Sequence, residues 1–206
     1  LYTYHGFDAT YAGTFPASGD KDTGLYGLSA DGKALVMDRF DEKRMHILER
    51  HDLASGKETP LFSAPGYDVD SPLYDTWTQR VIGAAYADDK WEYYYFDPNR
   101  EALQRGLEKS FAGASVVVVS SDLAGDKVIV EVDAPSATPS FLLLDSTGVK
   151  SIGHTYPGLT GVTLGEMKSY PYKARDGLDI PAYLTLPPGK AAKNLPLVVM
   201  PHGGPD

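Results

Sequence analysis

The chain has 206 residues, 42% of them hydrophobic and 23% charged, with a formal net charge of -9. That length allows one large domain or one domain and part of another, and no apolar run approaches the roughly 20 residues that a membrane-spanning helix needs. The acidic balance and scattered basic residues offer no footprint for a phosphate backbone, so neither nucleic acid nor a membrane is an expected partner.

The absence of cysteine excludes disulfides, thiolate metal sites and a cysteine nucleophile, and fits a cytoplasmic or a periplasmic location equally well. The opening "LYTYHGFDAT" has neither the charged nor the apolar region of a signal peptide.

Most of the chain reads as short strands and turns: 14 tyrosines, 21 glycines and 15 prolines favour extended structure over long helices. Two series of strands recur. "ALVM", "VIGAAY" and "VIVEV" begin at Ala34, Val81 and Val128, each 47 residues after the one before. "YTYHGFD", "ILERHD", "YYYFD" and "FLLLD" close on Asp8, Asp52, Asp97 and Asp145, at intervals of 44, 45 and 48. A period in the forties with several strands per unit is the mark of a β-propeller blade, a small twisted sheet that cannot bury both faces alone. A β-sandwich, the competing architecture, repeats its strands at about 8–12 residues without the longer period.

The expected fold is therefore mainly β, a partial β-propeller of about three and a half blades over residues 1–157. A ring takes about four to eight blades, so either blades precede the chain or copies associate as a homo-oligomer through open edges. The inner strands should be apolar on both faces, as "VIVEV", "VVVV" and "VIGAA" nearly are. Asp31-Gly32 in "SADGK" supplies the positive φ of a tight hairpin. In "NREALQRGLEKSF", from Asn99, the residues Ala102, Leu103 and Leu107 give a helical spacing.

After "HTYPGLTG" the period breaks, and residues 158–206 read as a second unit. A hairpin is expected from Lys168 to Ala174 and from Asp179 to Leu186, turning at Asp176-Gly177 and stopped by Pro187-Pro188. "LPLVVM" then reads as a fully apolar strand of the kind buried inside a parallel sheet. It runs into "PHGGPD", where adjacent glycines let backbone come very close to something else.

A propeller of this period, followed by "RDGLDIPAYLTLP" and "LPLVVMPHGGP", resembles the prolyl oligopeptidase family of serine peptidases, most closely its acylaminoacyl-peptidase and dipeptidyl-peptidase-like branch. The resemblance implies a propeller gating an α/β-hydrolase domain, of which residues 158–206 would be the linker hairpin and the first strands. It implies hydrolysis of short peptides through an acyl-enzyme, chemistry that calls for no metal or organic cofactor. "HGGP" stands where that fold builds the first part of its oxyanion hole. Glycine suits the place because a backbone N–H must lie about 2.7–3.1 Å from the developing oxyanion, and a side chain would block the approach. Gly204 is the first candidate donor and Gly203 the second. His202 resembles a structural member of the loop, because the family's catalytic histidine follows the nucleophile and the acid.

The nucleophile motif G-x-S-x-G is absent; "GLSAD" at Ser29 and "GASVV" at Ser115 lack the second glycine and lie inside the repeats. Nucleophile, acid and base are thus expected outside this chain, in the remainder of its own catalytic domain, and the chain alone is expected to be inactive. An esterase-type α/β-hydrolase parent and a non-catalytic propeller binding module are the alternatives.

Other polar residues have plainer readings. His5, His46, His51 and His154 stand singly on strand-like segments, without the spacing of a zinc helix. "DKDTG" from Asp20 lacks the third oxygen position and distal glutamate of a calcium loop and reads as a joining turn. The aromatics of "WEYYYF", Trp91 to Phe96, either pack between blades, the favoured reading, or line a peptide cavity. Asp88-Asp89 and Asp41-Glu42 read as hairpin tips in solvent.

Overall fold

The computed structural model describes residues 24–201 and 203, together with the backbone of residues 2–5 and 8–11. β1 (Tyr2–His5) and β2 (Asp8–Tyr11) pair antiparallel, Tyr2 facing Tyr11 and His5 facing Asp8. Three antiparallel sheets follow. The first holds β3 (Leu25–Leu28), β4 (Ala34–Phe40), β5 (His46–Asp52) and β6 (Glu58–Phe62). β7 (Ser71–Tyr74), β8 (Val81–Ala87) and β9 (Trp91–Tyr95) make the second. The third holds β10 (Ser115–Ser121), β11 (Val128–Asp133), β12 (Ser140–Asp145) and β13 (Gly148–His154). Strands are neighbours in chain order, and none of the sheets closes. The fold is mainly β and consistent with part of a propeller-like structure.

The two sequence series fall on equivalent strands. "ALVM", "VIGAAY" and "VIVEV" open β4, β8 and β11, the second strand of each sheet, while the aspartate series ends or follows the third. The aspartates recur because each caps the turn that leaves that strand. Asp52 Oδ1 accepts from the Ser55 N–H at 2.9 Å, Asp145 Oδ1 from the Thr147 N–H at 2.7 Å, and Asp97 Oδ1 from the Asn99 and Arg100 N–H groups at 3.0 Å. Asp8, by contrast, opens β2.

Burial corrects the expectation that all inner strands are apolar on both faces. Val81 to Ala85 of β8 are buried throughout, because the second sheet has a neighbour on each side. On β11 only alternate residues, Val128, Val130 and Val132, are buried, because one face alone is covered. The first two sheets meet in a core of Val36, Leu48, Val69, Val81 and Ala84, each buried aliphatic contributing about 1.5–3 kcal/mol where the side chain is large. Gly83 permits the closest approach in the second sheet, since a Cβ there would strike the Tyr94 carbonyl oxygen.

The second sheet has no fourth strand. In its place stands α1 (Pro98–Ser110), started by the Asp97 cap and Pro98. The helix predicted from Asn99 is present, but its buried residues are Gln104 and Leu107, whereas Ala102 and Leu103 are exposed. Its polar side chains instead occupy the open edge of β9. Glu101 accepts the Tyr95 N–H at 2.8 Å, Arg105 donates to the Tyr93 carbonyl at 2.7 Å, and the Ser115 hydroxyl bonds both the N–H and the carbonyl of Trp91. Residues 91, 93 and 95 are the ones whose backbone points away from β8, since the Phe96 N–H goes to the Ile82 carbonyl. Side chains thus do for β9 what a fourth strand does elsewhere.

Neighbouring sheets are also tied end to end. The turn 75–80 sends Arg80 to the Ala30 carbonyl at 3.0 Å and Trp77 Nε1 to the Ser121 carbonyl at 3.0 Å, so the turns between first and second strands gather at one end of the stack. Asp75 organises that turn, accepting from the N–H and hydroxyl of Thr78 and from Arg100 at 2.6 Å. Burial works to raise the pKa of Asp75, but the Thr78 donors and Arg100 outweigh it and hold the carboxyl below its ordinary value.

Two predictions follow from these contacts. Glu101→Ala and Arg105→Ala should each lower the unfolding free energy measured by denaturant titration by about 1–2 kcal/mol, less than for a fully buried charge-assisted bond because both side chains touch solvent. The double variant should lose less than the sum, because Glu101 and Arg105 also bond each other at 2.8 Å. Asp75, whose folded pKa is lowered, stabilises the fold above its unfolded value near about 4, and that contribution is lost as pH falls through the folded value. Asp75→Asn should therefore flatten the acid limb of the stability profile, the gap from wild type closing below about pH 4.

Candidate functional site

Beyond the 3-10 turn Pro157–Leu159 the chain forms two short antiparallel ladders. β14 (Met167–Ser169) pairs with β17 (Tyr183–Thr185), and β15 (Tyr172–Lys173) with β16 (Asp179–Ile180). This is the expected hairpin, split into two short ladders. Pro171 and Pro181 face each other across it, and neither has an N–H to give. The Tyr170 N–H bridges the break to the Ala182 carbonyl at 2.7 Å. At the tip, Gly177 takes a φ of +88° and donates to the Ala174 carbonyl at 3.0 Å.

The hairpin is fastened to the sheets through the acidic turn between β8 and β9. Tyr183 Oη donates to Asp89 at 3.1 Å, and Tyr67 Oη donates to Asp88 at 2.6 Å. Asp88 and Asp89 are exposed, as expected of a hairpin tip, but each receives a tyrosine hydroxyl. The bond to Asp88 raises the Tyr67 pKa; partial desolvation and the bond to Asp89 raise that of Tyr183. Because strands alternate in direction, this turn lies at the opposite end of the second sheet from the turn 75–80.

Past the hairpin, the structure departs from expectation. Leu195 to Met200 form no strand, and Leu197, Val198, Val199 and Met200 are 76–86% exposed. A buried strand needs partners on both edges and cover on both faces, and no described residue supplies them. Gly203 is exposed, and a Cβ built on it would meet nothing within 4 Å. His202 and Gly204 lie outside the described residues, so the three oxyanion-loop candidates are not seen assembled.

His46 Nδ1 lies 3.0 Å from both Asp38 oxygens, its ring 4.3 Å from Phe40, and His51 Nδ1 lies 3.3 Å from Glu58. The His154 Nδ1 is buried without a partner. The side chain of His5 and the segment Asp20 to Thr23 fall outside the described residues. Asp41 caps its own turn, accepting from the Lys43 and Met45 N–H groups. Of the aromatics of β9, Tyr94 stacks on Phe62 at 4.8 Å and burial pushes the Tyr95 hydroxyl up to about 12, while Trp91 is exposed. Among the described residues, no group of three or more His, Asp or Glu is placed to hold a metal ion.

Sequence reasoning passed over Asp75, Trp77 and Arg100. The available signal was a third aspartate series, Asp31, Asp75 and Asp122, which follows the first strand of each sheet.

No protein-family model matches the chain. The chain is 31% identical over 192 residues to dipeptidyl aminopeptidase BIII of Pseudoxanthomonas mexicana, an alignment covering 87% of this chain and 27% of that protein. The chain thus spans little more than a quarter of that relative's length.

The hairpin anchor gives a test. Tyr183→Phe removes the bond to Asp89 and should speed hydrogen exchange across residues 167–185 several-fold, while the global unfolding free energy changes by no more than about 0.5 kcal/mol.

Proposed function

We propose that the chain is part of a serine peptidase of the prolyl oligopeptidase family, a protein that hydrolyses short peptides through an acyl-enzyme. The observation that carries this reading is the identity to dipeptidyl aminopeptidase BIII over 87% of the chain. That relative's name points to the removal of dipeptides from amino termini as the activity of the whole protein. The serial antiparallel sheets support a propeller gate over residues 1–157, with the sheets of β3–β6, β7–β9 plus α1, and β10–β13 as blades and β1–β2 as the outer half of another. The split hairpin and the exposed apolar run before Gly203 support residues 158–206 as the linker and the start of an α/β-hydrolase domain.

In this reading Gly204 and then Gly203 present backbone N–H groups to the oxyanion, and His202 holds the loop. The nucleophile, acid and base belong to the rest of the catalytic domain, which packs on this chain.

The full-length protein should be labelled stoichiometrically by a fluorophosphonate, and the 206-residue chain should not be. In the full-length protein, Gly204→Pro deletes one donor and should lower kcat by about 10²–10³-fold, with His202→Ala costing less. Absence of labelling would leave a propeller binding module as the better reading. Turnover of esters but not of amino-terminal dipeptide amides would point to an esterase.

A further inference from the structure

α1 stands at the edge of the second sheet where a fourth strand would lie. A cavity of about 420 Å³ lies between the start of α1, the turn 75–78 and the turn joining β10 to β11. That volume is within the range of small-molecule sites, about 300–1,000 Å³.

Its charged groups are unequally spent. Asp75 is used up: Oδ1 accepts the N–H groups of Trp77 and Thr78 and the Thr78 hydroxyl, and Oδ2 accepts from Arg100. Arg100 gives Asp75 one of its five side-chain N–H donors and is held in place by it, and among the described residues the others meet no acceptor. Asp122, also on the lining, accepts the Lys127 N–H on Oδ1 at 3.1 Å, and among the described residues its Oδ2 meets no donor. The wall between them is apolar: Trp77, whose indole is pinned to the Ser121 carbonyl, with Leu103 and Leu123, the last 81% exposed.

We infer that this cavity binds a small zwitterion with an apolar body, an apolar amino acid or dipeptide, its carboxylate on Arg100 and its ammonium on Asp122. A simple anion would satisfy the remaining donors of Arg100 but meet the carboxylates of Asp75 and Asp122, and a simple cation would satisfy Asp122 but leave those donors unmet. A ligand carrying both charges around an apolar centre meets each group with its opposite and covers Leu103 and Leu123. The inference does not depend on the peptidase reading.

Calorimetric titration of the protein with Leu-Leu, N-acetyl-Leu-Leu and Leu-Leu amide tests it. The free dipeptide should bind saturably, and each blocked form at least tenfold more weakly. Asp122→Asn should erase the penalty of the N-acetyl group and keep that of the amide; Arg100→Gln should do the reverse. Arg100→Gln also strands Asp75, so if that variant does not fold, Asp122→Asn and Leu123→Ser, both at the cavity mouth, decide the question. Leu123→Ser should weaken the free dipeptide several-fold. No saturable heat with Leu-Leu, equal binding of the three forms, or an unchanged N-acetyl penalty in Asp122→Asn would overturn the assignment.

Discussion

A four-stranded sheet has two faces and can bury neither by itself. That constraint orders the whole chain. Where a sheet has neighbours on both sides, consecutive residues can be apolar and buried, as Val81 to Ala85 are. Where it has one covered face, burial falls back to alternation, as along Val128 to Val132. The same apolar composition gives different burial on β8 and β11 because stacking, and not the strand itself, supplies the cover.

The second sheet shows how the repeat tolerates a departure. An edge strand with unpaired N–H and carbonyl groups invites aggregation or costs desolvation if buried. Here α1 answers with charged side chains aimed at alternate residues of β9. Glu101 and Arg105 are spaced i, i+4, so they lie on one face of the helix, and they bond Tyr95 and Tyr93, which lie two residues apart and point the same way on the strand. One helical turn rises about 5.4 Å and two strand residues about 6.8 Å, close enough for flexible side chains to make up the difference. The cavity beside Arg100 lies at the start of this helix.

What was legible in the sequence was whatever local chemistry fixes. The aspartates at Asp52, Asp97 and Asp145 announced their turns because an aspartate capping its own backbone needs no distant partner. The hairpin at Asp176-Gly177 was visible for the same reason. What was not legible depended on partners far along the chain. Ala102 and Leu103 carry the apolar spacing of α1 but face solvent, because the buried side of the helix is selected by polar bonds to β9 and by Gln104 reaching the Val116 carbonyl. Arg100 looks like any helical surface charge until Asp75 is seen 2.6 Å away. Pro171 and Pro181 were in plain view, yet only the register shows that they oppose each other and divide the hairpin.

The exposed run from Leu197 to Met200 limits what can cover it. In an extended strand consecutive residues point to opposite sides, which would set Leu197 and Val199 against Val198 and Met200. A groove on a protein surface reaches one side only and would leave half of these side chains in water. Covering all four, at about 1.5–3 kcal/mol for each large aliphatic, takes layers on both faces and strands on both edges. The interior of a parallel sheet flanked by helices meets that requirement. Four consecutive large apolar residues thus call for cover on both faces, which no described residue supplies.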